Sequence, residues 1–380
     1  MKSPIHNPPP KTEESTILAV HPGALGDLVL FGHLLSCLQG RVTIVAGGQK
    51  GQLLVGARPG GAAAGLAARA IDFDLMPMHE LFTDAPLDRC TLPGLLGRHD
   101  RLISCFPAGN PRARQRLSAM CQAQDAVFLS VRPEQEFSGH LLDLWMVATG
   151  DPPSARLRVA SSTRRDGLDV APGAAGMGAA EGPISPQAPA AWGFAKPVAW
   201  EIPLPWRQEA AAMLAALGVD TSRPYVMIHP GAGAPEKCWP LERFVELGRA
   251  CEAAVLVVGE VEADRWPAER IDALRREFPV LTCPPLVVLA GVLAGARAFA
   301  GNDSGPAHLA AALGVPTVAL FGPSRSQHFA PRGPSVNVLV AQPLDRIGVA
   351  EVVAALAEIS KQPRGCAGAK RRKRRRAGDS

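Results

Sequence analysis

Apolar positions near the start of the chain follow the order strand, helix, strand. Thr16–Val20 is a short apolar run that stops at a His-Pro-Gly turn. From Asp27 to Leu38 the leucine and phenylalanine side chains recur at helical spacing, and Arg41–Ala46 is a second apolar run. A strand, a glycine turn, a helix and a strand in this order predict the opening βαβ unit of a parallel sheet.

The same alternation continues through the rest of the first half. The predicted elements are strands at Ala70–Leu75, Arg101–Phe106 and Ala126–Val131, and a helix at Ser138–Thr149 that stops at Gly150. We therefore predict that residues 16–160 form a Rossmann-like domain and that residues 1–15 are a disordered lead.

The second half begins after a segment of different composition. Residues 161–200 are rich in Ala, Gly, Pro and Ser and have no strand or helix period, which predicts a flexible linker or insertion. Beyond it the predicted strands are Tyr225–His229, Ala254–Val258, Ala296–Ala300 and Thr317–Phe321, and the predicted helices are Trp206–Leu217, Leu241–Ala253, Glu262–Phe278, Pro306–Leu313 and Ile347–Lys361. Strands alternating with helices imply a parallel sheet with helices on both faces, so residues 201–362 predict a second Rossmann-like domain.

A short internal repeat supports two similar halves. The sequence VHPGA at 20–24 recurs as IHPGA at 228–232, in each case after a strand and before a loop and helix. Two similar α/β halves with a cleft between them would produce this repeat, although such junctions also resemble one another by chance.

The formal net charge of +5 belongs to the end of the chain. Lys370–Arg376 carries seven positive charges, so the rest of the chain has a formal charge of −2. A nearly neutral body with only 5% aromatic residues argues against a nucleic-acid-binding protein. We predict that residues 363–380 are a disordered basic tail, which is either simply solvated or touches anionic lipid of the inner membrane peripherally.

Cysteine spacing and apolar segments indicate the compartment. The eight cysteines form no CxxC pair and have no zinc-like spacing with histidine. The first residues lack the apolar stretch of a signal peptide, and Leu286–Gly301 is too short to span a bilayer comfortably. We therefore expect a soluble, cytoplasmic protein with reduced cysteines.

The first candidate motif is the turn PGALGD, residues 22–27. Gly23 and Gly26 let the backbone turn tightly and approach a ligand closely. Asp27 stands at the start of the predicted helix, where it can act as an N-cap. Alternatively, it faces a cleft and takes a proton from an acceptor hydroxyl. The turn is not GxGxxG, so a dinucleotide site is poorly supported.

The second candidate motif follows the strand that ends at His229. Its glycine loop includes Gly231 and is followed by Lys237, which is typical of a phosphate cradle with a lysine point charge. The alternative for Lys237 is an exposed loop lysine. We expect Trp239 to pack at the start of the next helix rather than to stack on a base.

The third candidate motif is GNDSGPAH, residues 301–308, which follows a strand and opens a helix. The free amide groups of Ser304, Gly305 and Ala307 can bind an anion, and the helix dipole favours negative charge there. The alternative is an elaborate helix cap. We expect Asp303 to cap the loop or to bind ribose hydroxyls.

Two further acidic pairs have weaker signals. Glu260 and Glu262 follow a predicted strand, where a carboxylate can accept hydrogen bonds from ribose or can simply favour the first turn of a helix. Asp72 and Asp74 form a DxD pair, a pattern known from metal–diphosphate sites, but they lie far along the sequence from the phosphate candidates. We therefore expect no metal and no cofactor.

Three blocks of the chain together resemble glycosyltransferase family 9, the bacterial lipopolysaccharide heptosyltransferases. The blocks are ILAVHPGALGDLVL (17–30), VMIHPGAGAPEKCWPLERF (226–244) and FAGNDSGPAHLAAALGVPTVALFGPS (299–324). His140 in GHLLDLW also resembles a family position near the end of the first domain. The resemblance is faint over 51–135 and absent over 161–199.

The resemblance implies a GT-B architecture, in which two Rossmann-like domains face each other across a cleft. The second domain would hold a nucleotide sugar, typically ADP-heptose, and the first would hold a lipid A–core acceptor. Transfer would be inverting and metal-independent, with Asp27 as the general base. By the same resemblance the donor-binding residues would be Lys237 at the phosphates, Asp303, Ser304, Gly305 and His308 at the diphosphate and sugar, and Glu260 or Glu262 at the ribose.

Heptosyl or related glycosyl transfer is therefore the leading hypothesis. One alternative is a transferase that uses a UDP- or GDP-sugar for another surface glycan. Another is a non-catalytic module that binds nucleotide sugars. A nucleic-acid-binding protein is the least favoured, because only the tail is basic.

Overall fold

The computed structural model describes residues 14–107, 109–134, 136–150 and 198–361. Residues 1–13, most of the predicted linker and the basic tail lie outside these ranges. The expected disorder of the lead and tail, the flexible linker and the domain boundaries near it therefore remain predictions.

The N-terminal domain is built on one parallel sheet. Its strands are β1 (Thr16–Val20), β2 (Arg41–Ala46), β4 (Arg69–Asp72), β5 (Arg101–Ser104) and β6 (Asp125–Phe128), while the short strand β3 (Arg58–Pro59) lies outside the sheet. Its helices are α1 (Leu25–Leu35), α2 (Gln49–Gly56), α3 (Leu92–Leu96), α4 (Pro111–Met120) and α5 (Leu141–Thr149). The strand order is β4-β2-β1-β5-β6. Three short 3₁₀ turns at Phe73–Leu75, Met78–Phe82 and Leu87–Arg89 connect β4 to α3.

The C-terminal domain is built on a second parallel sheet. Its strands are β8 (Val226–His229), β9 (Ala254–Val258), β10 (Val280–Thr282), β11 (Ala298–Asn302), β12 (Thr317–Phe321) and β13 (Val336–Val340). Its helices are α6 (Leu204–Ala216), α7 (Leu241–Ala250), α8 (Glu260–Arg265), α9 (Ala268–Glu277), α10 (Leu286–Gly295), α11 (Gly305–Ala312), α12 (Ser326–Phe329) and α13 (Val349–Ile359). The strand order is β10-β9-β8-β11-β12-β13. The short strand β7 (Trp200–Glu201) pairs with β3 and so joins the two domains.

Continuous apolar strands explain why both sheets are parallel and covered. Every residue of β9 (AVLVV) and of β12 (TVALF) is buried. A strand buried on both faces needs helices above and below it, which is the arrangement of a doubly wound sheet. The predicted fold class, two α/β domains with parallel sheets, is confirmed.

One predicted helix is wrong. The expected helix Glu262–Phe278 is two helices, α8 and α9, separated at Pro267. Proline lacks an N–H group and disfavours helical geometry in the residue before it, and Trp266 is accordingly extended. The sequence pattern also predicts none of the helices α2, α3, α4, α10 and α12.

Two buried histidines of the N-terminal domain meet backbone carbonyls of the C-terminal domain. His33 Nε2 donates to the carbonyl of Arg332 at 3.1 Å, and His140 Nε2 donates to that of Ala330 at 2.9 Å. The Arg332 guanidinium also lies 3.0 Å from Asp143 Oδ2. Burial lowers the pKa of His33 to about 4 and that of His140 to about 3, so both rings are neutral in this seam.

We expect this seam to weaken in mild acid. A histidine with a lowered pKa binds fewer protons in the folded state than in the unfolded state. Its stabilising effect is present above the ordinary histidine pKa of 6.5 and is lost as the pH falls toward about 4. Between pH 7 and pH 5, the lowered pKa of His33 alone should reduce the protein's free energy of unfolding by about 2 kcal/mol.

Denaturant titrations at both pH values measure this loss. His33→Gln should lose less stability between pH 7 and pH 5 than the wild type does. The exposed control His79→Gln should match the wild type. Equal losses in all three proteins would contradict this reading.

Among the helices of the described ranges, none is long and apolar enough to cross a membrane.

Candidate active site at the domain interface

The starts of α1 and α11 touch across the two domains. A Cβ atom at Gly26 would lie 3.0 Å from His308 Cδ2, and one at Gly305 would lie 2.8 Å from Leu25 Cβ. Glycine at these two positions therefore allows the helix ends to approach closely. The structure brings the first motif, residues 22–27, against the third motif, residues 301–308.

Asp27 is partly buried in the first turn of α1. The N-cap is Ala24, so the capping alternative for Asp27 is wrong. Burial is the main cause of a raised pKa at Asp27. Electrostatic interactions with His308 and Lys237 lower this pKa, whereas the interaction with Asp303 raises it further. All three of these charged groups belong to the C-terminal domain. A carboxylate with a raised pKa is a stronger proton acceptor once ionised.

Lys237 and Asp303 form an ion pair beside Asp27. Lys237 Nζ lies 3.0 Å from Asp303 Oδ2, and their side chains are 37% and 10% exposed. Burial alone would raise the pKa of Asp303, but its interactions with His308 and Lys237 outweigh burial and hold the pKa below its ordinary value. The N-cap of α11 is Ser304, so Asp303 holds Lys237 rather than capping the helix.

Behind this pair, a buried row of side chains leads from Glu262 to the start of α11. Glu262 Oε2 lies 3.4 Å from His229 Nε2 and accepts a hydrogen bond from the Gly259 amide at 3.0 Å. Burial alone would raise the pKa of Glu262, but these partners outweigh it and the pKa is lowered. With the proton on Nε2, His229 Nδ1 accepts from the Ser304 hydroxyl at 3.2 Å.

These contacts separate the two ribose candidates. The Glu262 side chain is 4% exposed, and a Cβ atom at Gly231 would lie 2.0 Å from it, so Glu262 fills the space beneath the second motif. Glu262 is therefore buried and engaged by its neighbours, whereas Glu260 is exposed at the same helix start. The predicted free amide of Ala307 is also occupied, because it donates to the Ser304 carbonyl at 3.1 Å.

Asn302 ties the second and third motifs together. It is fully buried, and its amide group donates to the carbonyls of Pro230 at 2.9 Å and Gly231 at 3.2 Å. Its Oδ1 accepts from the Trp239 amide at 2.9 Å. Trp239 is buried against Phe244, as expected from the sequence. The sequence pattern assigns no role to Asn302 beyond its place in the GNDSGPAH motif.

Lys50 is a residue of the N-terminal side that sequence reasoning missed. Its Nζ donates to the carbonyl of Gly23 at 2.8 Å and so holds the turn that leads to Asp27. The same turn is closed by His21, whose Nδ1 accepts from the Gly23 amide at 3.3 Å. A lysine in a GGQKGQ segment has no distinctive spacing, so no sequence signal pointed to it.

The DxD pair is part of a backbone turn. Asp72 Oδ1 accepts from the amide groups of Gly48 at 3.0 Å and of Asp74 at 3.1 Å. Within the described ranges, His, Cys, Asp and Glu side chains form no group of three or more suited to a metal ion.

Two facing Rossmann-like domains, with motifs from both meeting at one interface, define a GT-B architecture. Residues 186–346 match the family model of glycosyltransferase family 9 (heptosyltransferase). The matched residues make up less than half of the chain, and they include Gly231, Lys237 and the whole 301–308 segment.

Individual proteins extend this comparison. Over 108 residues, 28% of the chain, it is 41% identical to lipopolysaccharide heptosyltransferase 1 of Pseudomonas aeruginosa. Over 144 residues, 34% of the chain, it is 33% identical to lipopolysaccharide heptosyltransferase 2 of Salmonella typhimurium. The matches cover only 30% and 41% of these relatives' lengths.

A solved structure covers nearly the whole chain. The E. coli ADP-heptose lps heptosyltransferase II superposes with a TM-score of 0.60 at 16% identity. The superposition covers 91% of this chain and 99% of that one. At this identity the likeness shows the shared fold.

Proposed function

We propose that this protein transfers a sugar, most specifically heptose from ADP-heptose, onto a lipopolysaccharide core acceptor. The observation that carries the proposal is the placement of Asp27, from the N-terminal domain, against Lys237, Asp303 and His308 of the C-terminal domain. Single-displacement transfer needs a base on one side of the sugar and stabilisation of the leaving diphosphate on the other.

In the proposed reaction, Asp27 takes the proton of the acceptor hydroxyl as its oxygen attacks the anomeric carbon. The bond from that carbon to the diphosphate breaks, and the configuration inverts. Negative charge grows on the diphosphate, where the Lys237 ammonium and the amide groups at the start of α11 stabilise it. These charges serve the leaving group without a metal ion in the proposed mechanism.

The buried row behind the site supports different proposed roles for its polar groups. With the proton on His229 Nε2, the Ser304 hydroxyl donates to His229 Nδ1, so we propose the backbone amides of Ser304 and Gly305, rather than that hydroxyl, as the phosphate contacts. Glu262 orients His229 from behind, and the exposed Glu260 is the residue proposed to hold the ribose.

The names of the relatives support the donor and acceptor. Two are lipopolysaccharide heptosyltransferases and one is named for ADP-heptose. Membrane contact through Lys370–Arg376 is also part of the proposal and rests on the charge of that segment.

Calorimetric titration with ADP, UDP and GDP tests the donor class. We expect ADP to bind more tightly than UDP or GDP. Preference for UDP or GDP would contradict the ADP-sugar assignment while keeping a glycosyltransferase. No binding of any of the three, with or without acceptor, would contradict the donor site itself.

A further inference from the structure

The segment that follows residues 151–197 enters the C-terminal domain through two tryptophans. Trp200 lies in β7, which pairs with β3 of the N-terminal domain, and Trp206 lies in α6 of the C-terminal domain. The Gly60 amide also donates to the carbonyl of Ala199 at 2.9 Å. The chain is therefore fastened to the N-terminal domain immediately before it continues into the C-terminal domain.

Both tryptophan rings rest on helix glycines of the N-terminal domain. A Cβ atom at Gly32, in α1, would lie 2.6 Å from Trp200 Cη2. One at Gly56, the last residue of α2, would lie 2.3 Å from Trp206 Cη2. Real Cβ atoms do not approach other atoms this closely, so any larger residue at either glycine must displace the ring or the helix.

Trp206 contacts both domains at once. Its backbone carbonyl would lie 2.3 Å from a Cβ atom at Gly291 in α10, while its ring covers Gly56. A hydrogen bond also joins α2 directly to α10: Gln49 Oε1 accepts from the Leu286 amide at 2.6 Å. Gly32, Gly56 and Gly291 thus allow helices of both domains to pack closely against the short segment 200–206.

The Trp200 ring is held by packing contacts rather than by a hydrogen bond. Its indole N–H is buried and has no hydrogen-bond partner among the described residues. In contrast, the Trp145 indole donates to the Ser130 carbonyl at 2.7 Å, and the Trp239 indole donates to that of Ile347 at 3.0 Å. A buried donor without a partner is costly, so the position of this ring is maintained by its packing.

We propose that Trp200 and Trp206, seated on Gly32 and Gly56, are positioning residues that set where α1 lies relative to α11. Because Gly32 and Asp27 lie on one continuous helix, the contact at Gly32 constrains the placement of Asp27 in the first turn of α1. This inference rests on the proposed function, since Asp27 and α11 are its proposed reacting sides. None of the four residues belongs to the proposed donor contacts.

The test is Gly32→Ala, with Gly94→Ala as the matched control. Gly94 is also a helix glycine of the N-terminal domain, but a Cβ atom there would meet open space. We expect Gly32→Ala to lower kcat on the order of 10-fold to 10²-fold, because small misplacements of reacting groups have effects of this size. ADP affinity should stay within about two-fold of wild type, because the C-terminal domain supplies the proposed donor contacts. Gly94→Ala should change neither quantity.

Compensation separates positioning from loss of stability. Trp200→Leu removes the ring that the new methyl group displaces, so the double variant Gly32→Ala, Trp200→Leu should turn over faster than Gly32→Ala alone. Unchanged kcat in Gly32→Ala, or equal losses of kcat and ADP affinity, would overturn the proposal.

Hydrogen exchange keeps this proposal distinct from the proposed function. Faster amide exchange in both α1 and α11 of Gly32→Ala, but not of Gly94→Ala, is expected whether or not the substrate is correct. Such a change in a protein without transferase activity would support the positioning role of Trp200 and Trp206 and contradict the proposed function. Unchanged exchange would overturn that positioning role.

Discussion

Asp27→Asn should lower kcat on the order of 10²-fold to 10⁴-fold, the usual contribution of a positioned general base. Asparagine keeps the size of the side chain but cannot accept the acceptor proton. Asp27 has no place among the proposed donor contacts, so ADP affinity should change little. Asp74→Asn is a suitable control, because Asp74 is an exposed carboxylate that follows β4 at the same edge of the sheet.

The pH dependence of the wild type gives a second view of Asp27. Burial raises the pKa of this carboxyl, and only its ionised form can act as a base. Turnover should therefore fall as the pH drops through that raised pKa, and Asp27→Asn should lose this acidic limb. A variant with wild-type kcat and an unchanged pH profile would remove Asp27 from the mechanism.

Lys237→Ala should weaken ADP binding about 10-fold to 10²-fold, because hydrogen bonds to charged groups contribute about 1.5–3 kcal/mol. Lys237 lies beside the start of α11, and Asp303 holds its ammonium group at 3.0 Å. The substitution removes this positive charge from the proposed diphosphate site. Calorimetric titration at low salt measures the effect most clearly, since salt screens partly exposed charges.

The control for Lys237 is the exposed Lys361, which lies just beyond α13. Lys361→Ala removes the same charge from the chain without touching the proposed site. Its ADP affinity should equal that of the wild type. If both variants weaken binding alike, the effect reflects net charge, and if neither does, Lys237 is not a phosphate contact.

Strands with a compact apolar run were the most predictable part of this fold, whereas the edge strands β10 and β13 were not predicted. The structure gives β1, β2, β9 and β12 with the predicted bounds, because each is a compact apolar run with polar or turn residues at its ends. Helices without a strong apolar stripe were harder to predict. Thus α4, with the sequence PRARQRLSAM, buries only three side chains and has too little periodicity to identify it. Pro267 marks the division between α8 and α9 in the sequence itself, because proline disfavours helical geometry in the residue before it.

The candidate site was predictable as motifs but not as contacts. Glycine turns after strands indicated where Asp27, Lys237 and the 301–308 segment would lie, since the carboxyl ends of parallel strands form ligand clefts. The same reasoning could not distinguish Glu260 from Glu262, because two residues on one helix turn differ in burial only once Gly231 is packed above them. Lys50 and Asn302 act through tertiary contacts that no local spacing encodes.

One assay of heptose transfer tests the central proposal most directly. Wild-type protein and Asp27→Asn are each incubated with ADP-heptose and a lipopolysaccharide core acceptor that lacks heptose, and both ADP release and the acceptor mass are followed. The proposal predicts one added heptose per acceptor and matching ADP release with the wild type, and a strongly reduced rate with Asp27→Asn. No added heptose with the wild type, or the same rate with both proteins, would contradict it.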